Sequence, residues 1–234
     1  MLFDLRGKRK RAVQVTYLGL AVLIGVGLVG FGIGGQGGGI FSNNNGNGGG
    51  SNKAGKLDKA RILAAQRTLA RDPKNEAALS IIIHNHYALA QLQGNPDPNA
   101  STFGVKSVPE LQQADAAWQR YFTVAKKPNV EVAKTAFQAD SQLIQLVPAK
   151  KATYAAGATN ALEIVAAAQP SFQTYIGVAQ YASLAGQTRT SQLAAKRAIA
   201  LAPKDQKTAV KQQVATYLKP PTPPPSAPKR GKKH

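Results

Sequence analysis

The sequence predicts an all-α chain: antiparallel helix pairs arranged as an α-solenoid, behind a single N-terminal transmembrane helix. Three observations predict it. From Leu57 to Leu218 apolar residues recur at spacings of three and four in a background of Ala, Leu, Gln and Lys, without an alternating strand pattern. Prolines punctuate that stretch at Pro73, Pro128, Pro170 and Pro203, each closing one amphipathic segment and opening another. An uncharged run, Val13 to Ile33, follows directly on a basic N-terminus.

Residues 1–12 form a basic stub carrying Arg6, Lys8, Arg9, Lys10 and Arg11. In residues 13–33 only Gln14 and Thr16 are clearly polar, and as a helix the run spans roughly 31 Å, the thickness of a bilayer core. No basic residue follows until Lys53. This asymmetry puts the N-terminus in the cytoplasm and the remainder outside, a single-pass cell-membrane protein with an extracytoplasmic C-terminal domain. A cleaved secretory signal is the competing reading, but the run exceeds the usual apolar core of about 7 to 15 residues and no Ala-x-Ala site follows it. The small-residue pairs Gly30/Gly34 and Ala21/Gly25 suit close helix packing, although glycine is simply common here.

Residues 34–56 read as a flexible linker rich in Gly and Asn, because such a composition buries too little apolar area to offset chain entropy. Its reach from Gly34 to Asn52 is roughly 24 Å. The helical domain is expected over 57–218, with helices near 57–71, 75–92, 109–126, 129–147, 150–168, 171–185, 188–201 and 204–218. The long break, Gln93 to Ser107, holds the turn cluster Gly94-Asn95-Pro96-Asp97-Pro98-Asn99. Residues 219–234 form a Pro-rich basic tail, with an extended polyproline run from Pro220 to Pro228 carrying Lys229, Arg230, Lys232 and Lys233.

The segment Phe172 to Asp205 places a bulky residue at Tyr175, small ones at Ala179, Ser191 and Ala198, glycine at the Gly186 turn and a closing Pro203. Small side chains at these places permit close helix crossing. The pattern resembles the tetratricopeptide repeat. Two degenerate copies lie upstream: one closing at Pro170 keeps Ala158, and one closing at Pro128 keeps Ala116 but has Thr123 where Ala is typical. Three repeats with a leading and a capping helix follow from the resemblance; a plain helical bundle is the alternative, since Ala-rich helices reach similar patterns by composition. The layout is similar to bacterial membrane-anchored tetratricopeptide proteins of the periplasm that accompany the secretion translocon and its chaperones.

Chemistry-bearing motifs are sparse. Cysteine is absent, which excludes disulfides, thiolate metal sites, cysteine catalysis and a lipoprotein anchor. Gly50 to Lys56 matches the start of a phosphate-binding loop, but Leu57 stands where Ser or Thr must hold magnesium, and no strand precedes it. His84 and His86, two apart on a helix, cannot grip one metal from one face; one is expected to pack and the other to be solvated. Acidic residues such as Asp72 and Glu76 sit at helix starts, where the macrodipole favours them, and no spacing selects a carboxylate pair. Trp118, Tyr121 and Phe122 read as core, with a peptide groove as the other use. Asn99-Ala100-Ser101 fits a glycosylation sequon.

With no catalytic constellation, cofactor motif or metal set legible, the expected function is a non-enzymatic scaffold for protein or peptide partners, in secretion or envelope protein assembly. The alternative comes from charge. Lys and Arg number 30 against 11 Asp and Glu, a formal +19, which suits an electrostatic binder of anionic polymers, lipid headgroups or nucleic acid. The tail residues Lys229, Arg230, Lys232 and Lys233 are the candidate contacts for that role, or else a solubilising extension.

Overall fold

Eight α-helices, and no strand, make up the residues described by a computed structural model, 50–94 and 103–218. They are α1 (Gly50–Arg71), α2 (Glu76–Gly94), α3 (Val108–Val124), α4 (Val130–Leu146), α5 (Lys151–Ala168), α6 (Phe172–Leu184), α7 (Thr188–Leu201) and α8 (Lys207–Tyr217), with short 3-10 turns at Val105–Ser107 and Pro148–Lys150. The expected basic stub, the transmembrane run 13–33, most of the linker and the tail 219–234 lie outside the described residues. Among those described, no helix is long and apolar enough to cross a membrane.

Helix boundaries follow local chemistry. Asn129 caps α4, its side chain accepting from the N–H groups of Glu131 at 2.8 Å and Val132 at 3.4 Å, and Ser171 caps α6 by accepting from Thr174 N–H at 3.1 Å. Asn75 does the same for the start of α2, accepting from Ala78 N–H at 2.9 Å. Between α6 and α7 the chain reverses at Gly186, whose φ of 75° is the left-handed conformation that glycine tolerates. There Gln187 N–H donates to Ala182 O and Gly186 N–H to Ser183 O, which closes the end of α6. One boundary differs from expectation. Helix α1 begins at Gly50 and not at Leu57, so the last part of the expected linker is helical. At Gly55 a side chain would stand 3.6 Å from Leu92 and 3.8 Å from Leu89, so helix packing reaches back that far.

From Gly55 onward the helices form one compact unit, and within it they pack in neighbouring pairs: α2 with α3, α4 with α5, α6 with α7. One core cluster gathers Leu79, Ile83, Trp118, Ala133 and Ala136 between α1 and α5. A second joins Leu162, Val178, Ala179, Ala195 and Ala198 in α5 to α8. A third holds Leu111, Leu143 and Tyr154 beside the start of α3. Phe137 packs against the first two and meets Tyr181 edge-on at 5.2 Å between ring centroids. Alanine dominates these contacts, which lets helix axes come close.

Polar ties hold the two sides of the long break. Ser107 Oγ donates to Ala90 O at 3.0 Å, and Gln93 Nε2 donates to Glu110 Oε1 at 3.2 Å. Ser183 Oγ donates to the Tyr217 carbonyl, joining α6 to α8.

Candidate functional site

Small residues that let helices approach also leave space where a long side chain is missing. Between α5, α6 and α7 this produces a groove of about 420 Å³. Ala166 and Ala194 are buried in it, Tyr175 is half-buried along it, and Leu193 is 58% exposed. Its polar members are Glu163, Thr190 and Arg197. Partial burial raises the Glu163 carboxyl above its ordinary range. An apolar face with a few convergent polar groups is the usual form of a binding cleft.

A second groove, about 330 Å³, lies between α1, α2 and α3 and is more polar, with His86, Gln113 and Arg120 beside Leu69 and Ile82. Its groups are already engaged. His86 Nδ1 pairs with Glu110 Oε2 at 2.6 Å, and Arg120 donates to Pro73 O at 3.2 Å. His84, half-buried, hydrogen-bonds Thr135 Oγ1 at 3.0 Å, and burial lowers its pKa. The expectation that one histidine would be solvated is therefore corrected: both are drawn inward by partners on α3 and α4. Among the described residues no three His, Cys, Asp or Glu side chains converge.

The residues singled out in the repeat pattern fall as follows. Ala179 and Ala198 are wholly buried, and Ser191 is buried with its Oγ donating to Ala179 O at 2.7 Å, which brings α6 and α7 together at that point. Gly186 makes the turn, Pro203 is exposed beyond α7, and Tyr175 lines the groove. Trp118 and Tyr121 are core, Trp118 Nε1–H donating to Gly157 O at 3.3 Å, while Phe122 is partly exposed. The Gly50 to Lys56 segment belongs to helix α1. The candidate contacts Lys229, Arg230, Lys232 and Lys233 and the sequon at Asn99 lie outside the described residues.

One constellation was not legible in the sequence. Asp140 of α4 is completely buried, and no N–H donor reaches either of its carboxylate oxygens. The group within hydrogen-bonding reach is the Asp115 carboxyl of α3. Asp115 in turn accepts from Gln119 Nε2 at 2.9 Å and is attracted by Lys150. Burial first, and then the neighbouring carboxyl, push Asp140 well above the ordinary carboxylate range. A signal was present: Asp140 stands on the same helical stripe as Ala133, Ala136 and Leu143, an acidic residue at a core position. Its partner could not be inferred, because the contact depends on how α3 and α4 are rotated against each other.

No family model matches this chain, and neither a curated protein nor a solved structure does.

Proposed function

We propose that the chain is a membrane-anchored, tetratricopeptide-like scaffold on the extracytoplasmic side, and that its α5–α6–α7 groove holds an acidic peptide segment bearing a bulky apolar residue. The observation that carries this reading is the exposure of Leu193, 58%, within a groove walled by small apolar residues and Tyr175. A leucine left in water beside a cleft gains about 1.5 to 3 kcal/mol when a partner covers it. The partner's charge follows from the surroundings. Arg189, Lys196 and Arg197 are exposed on α7, and Thr188 to Tyr217 contains Asp205 as its sole acidic residue. Close pairing of α6 with α7 through Ala179, Ser191 and Ala198 supports the repeat reading, and the anchor follows from the charge pattern around residues 13–33.

A second reading has its own support. Exposed Lys204, Lys207 and Lys211 continue the basic surface along α8, which suits an anionic polymer bound without any groove.

Fluorescence anisotropy with labelled acidic peptides, each containing one Leu or Phe, separates the two. Leu193→Ala should weaken binding by roughly 10-fold or more, while removal of residues 219–234 should matter modestly and mostly at low ionic strength. Binding indifferent to Leu193, lost on removal of the tail and falling steeply with salt would transfer the function to the electrostatic reading.

A further inference from the structure

We infer that Asp115 and Asp140 hold a single proton between them, and that this proton latches α3 and α4 against α5 and is released as pH rises, loosening the joint. The geometry requires it. Asp140 is fully enclosed, its two oxygens meet no N–H donor, and the polar group in reach is another carboxyl. Two ionised carboxylates at hydrogen-bonding range in a dry interior repel strongly, whereas one O–H donating to one carboxylate is a charge-assisted hydrogen bond. The proton resides on Asp140, the enclosed member. Asp115, half-buried, accepts it and keeps the negative charge, which the Gln119 amide and Lys150 offset.

The roof of this site is Gly157 of α5. A Cβ there would lie 2.3 Å from Asp140 Oδ2 and 2.7 Å from Gln119 Nε2, so the carboxyl presses directly on the α5 backbone. Around it, Trp118 Nε1–H donates to Gly157 O and Gln112 Nε2 donates to Tyr154 Oη at 3.0 Å. The titratable groups that α2 turns toward α3 and α4 are His84, His86 and Tyr87; the histidines are engaged by Thr135 and Glu110, and Tyr87 packs beside Phe103 against Leu111 and Leu143. Lys150 precedes α5 and acts on Asp115. From α5 itself the titratable group in the same cluster is Tyr154, whose hydroxyl is engaged by Gln112.

The sign of the pH effect follows. The folded chain holds a proton that the unfolded chain releases in the ordinary aspartate range, so stability is fully present at low pH and declines as pH rises toward the raised pKa of Asp140. The test uses the full chain, with unfolding midpoints by circular dichroism from about pH 5 to about pH 9, a range above the titration of ordinary carboxyls. Wild type should lose about 3 to 5 °C per pH unit over the part of this range below that pKa. Asp140→Asn, whose amide donates to Asp115 without titrating, should remove that slope. Infrared spectroscopy of the wild type at about pH 5.5, above the titration of ordinary carboxyls, should show a protonated carboxyl band that is missing in Asp140→Asn. If the variant does not fold, the wild-type band decides alone: its absence overturns the inference. An unchanged slope in a folded Asp140→Asn also overturns it, as does stabilisation of the wild type by an added divalent cation that Asp140→Asn abolishes, which would make the pair a metal site.

Discussion

Gly157→Ala is the sharpest test of how closely the buried carboxyl approaches α5. In a helix interior this substitution ordinarily stabilises, since Ala is better than Gly by about 0.5 to 1 kcal/mol. Here the added methyl would land 2.3 Å from Asp140 Oδ2, 2.7 Å from Gln119 Nε2 and 3.2 Å from Asp140 Cγ. Gln119 has a flexible end and can turn aside. Asp140 has a short side chain, enclosed on every side, and cannot. Overpacking of this kind costs about 1 to 3 kcal/mol, and displacing the carboxyl from Asp115 costs about 1 to 3 kcal/mol more. Less the helix-propensity gain, the net destabilisation is about 1 to 5 kcal/mol, centred near 3. Equilibrium denaturation of Gly157→Ala, Asp140→Ala and the double variant measures it. The two changes should be strongly non-additive, because removing the carboxylate makes room for the methyl. A Gly157→Ala protein as stable as wild type, or stability losses that simply add, would refute the close contact and with it the roof assigned to the latch.

Ala198→Leu should destabilise by about 1 to 3 kcal/mol in the same assay, since Ala198 is wholly buried at the α6–α7 packing and a leucine there has no room; a change as mild as a surface substitution would place Ala198 outside the contact. For topology, protease added to intact cells or spheroplasts should remove the domain beyond Gly34, in keeping with basic residues before residues 13–33 and none shortly after. Full protection of a C-terminal tag, with access to the outer surface verified, would reverse the orientation.

Much of the helix content was legible because it is governed by local chemistry. A proline without an N–H stops a helix in its interior and is accepted in its first turn, as Pro109 is in α3, and Asn129, Ser171 and Gly186 act on backbone groups within a few residues of themselves. The expected helices agree with the eight observed to within a few residues at most ends. The start of α1 is the clear exception. Gly50 to Lys56 has a linker's composition yet is helical, and at Gly55 the helix runs close to Leu89 and Leu92 of α2, a proximity that composition does not reveal.

The sequence by itself determined that the described residues are helical, to within a few residues where each helix stops, which faces are apolar, that the chain carries a net positive charge, and that no thiol chemistry is open to it. Tertiary structure alone decided which side chains meet. His86 finds Glu110 across the break from Gln93 to Ser107, and Leu193 stands exposed in a groove where α5 contributes the small Ala166 and Ala167. Asp140 finds Asp115 beneath a glycine on a third helix. A helix's period tells which of its residues face inward, but not the rotation and offset of the neighbour they face; those are fixed by packing across many alanine contacts at once, and a polar pair in the core exists only after that packing is complete.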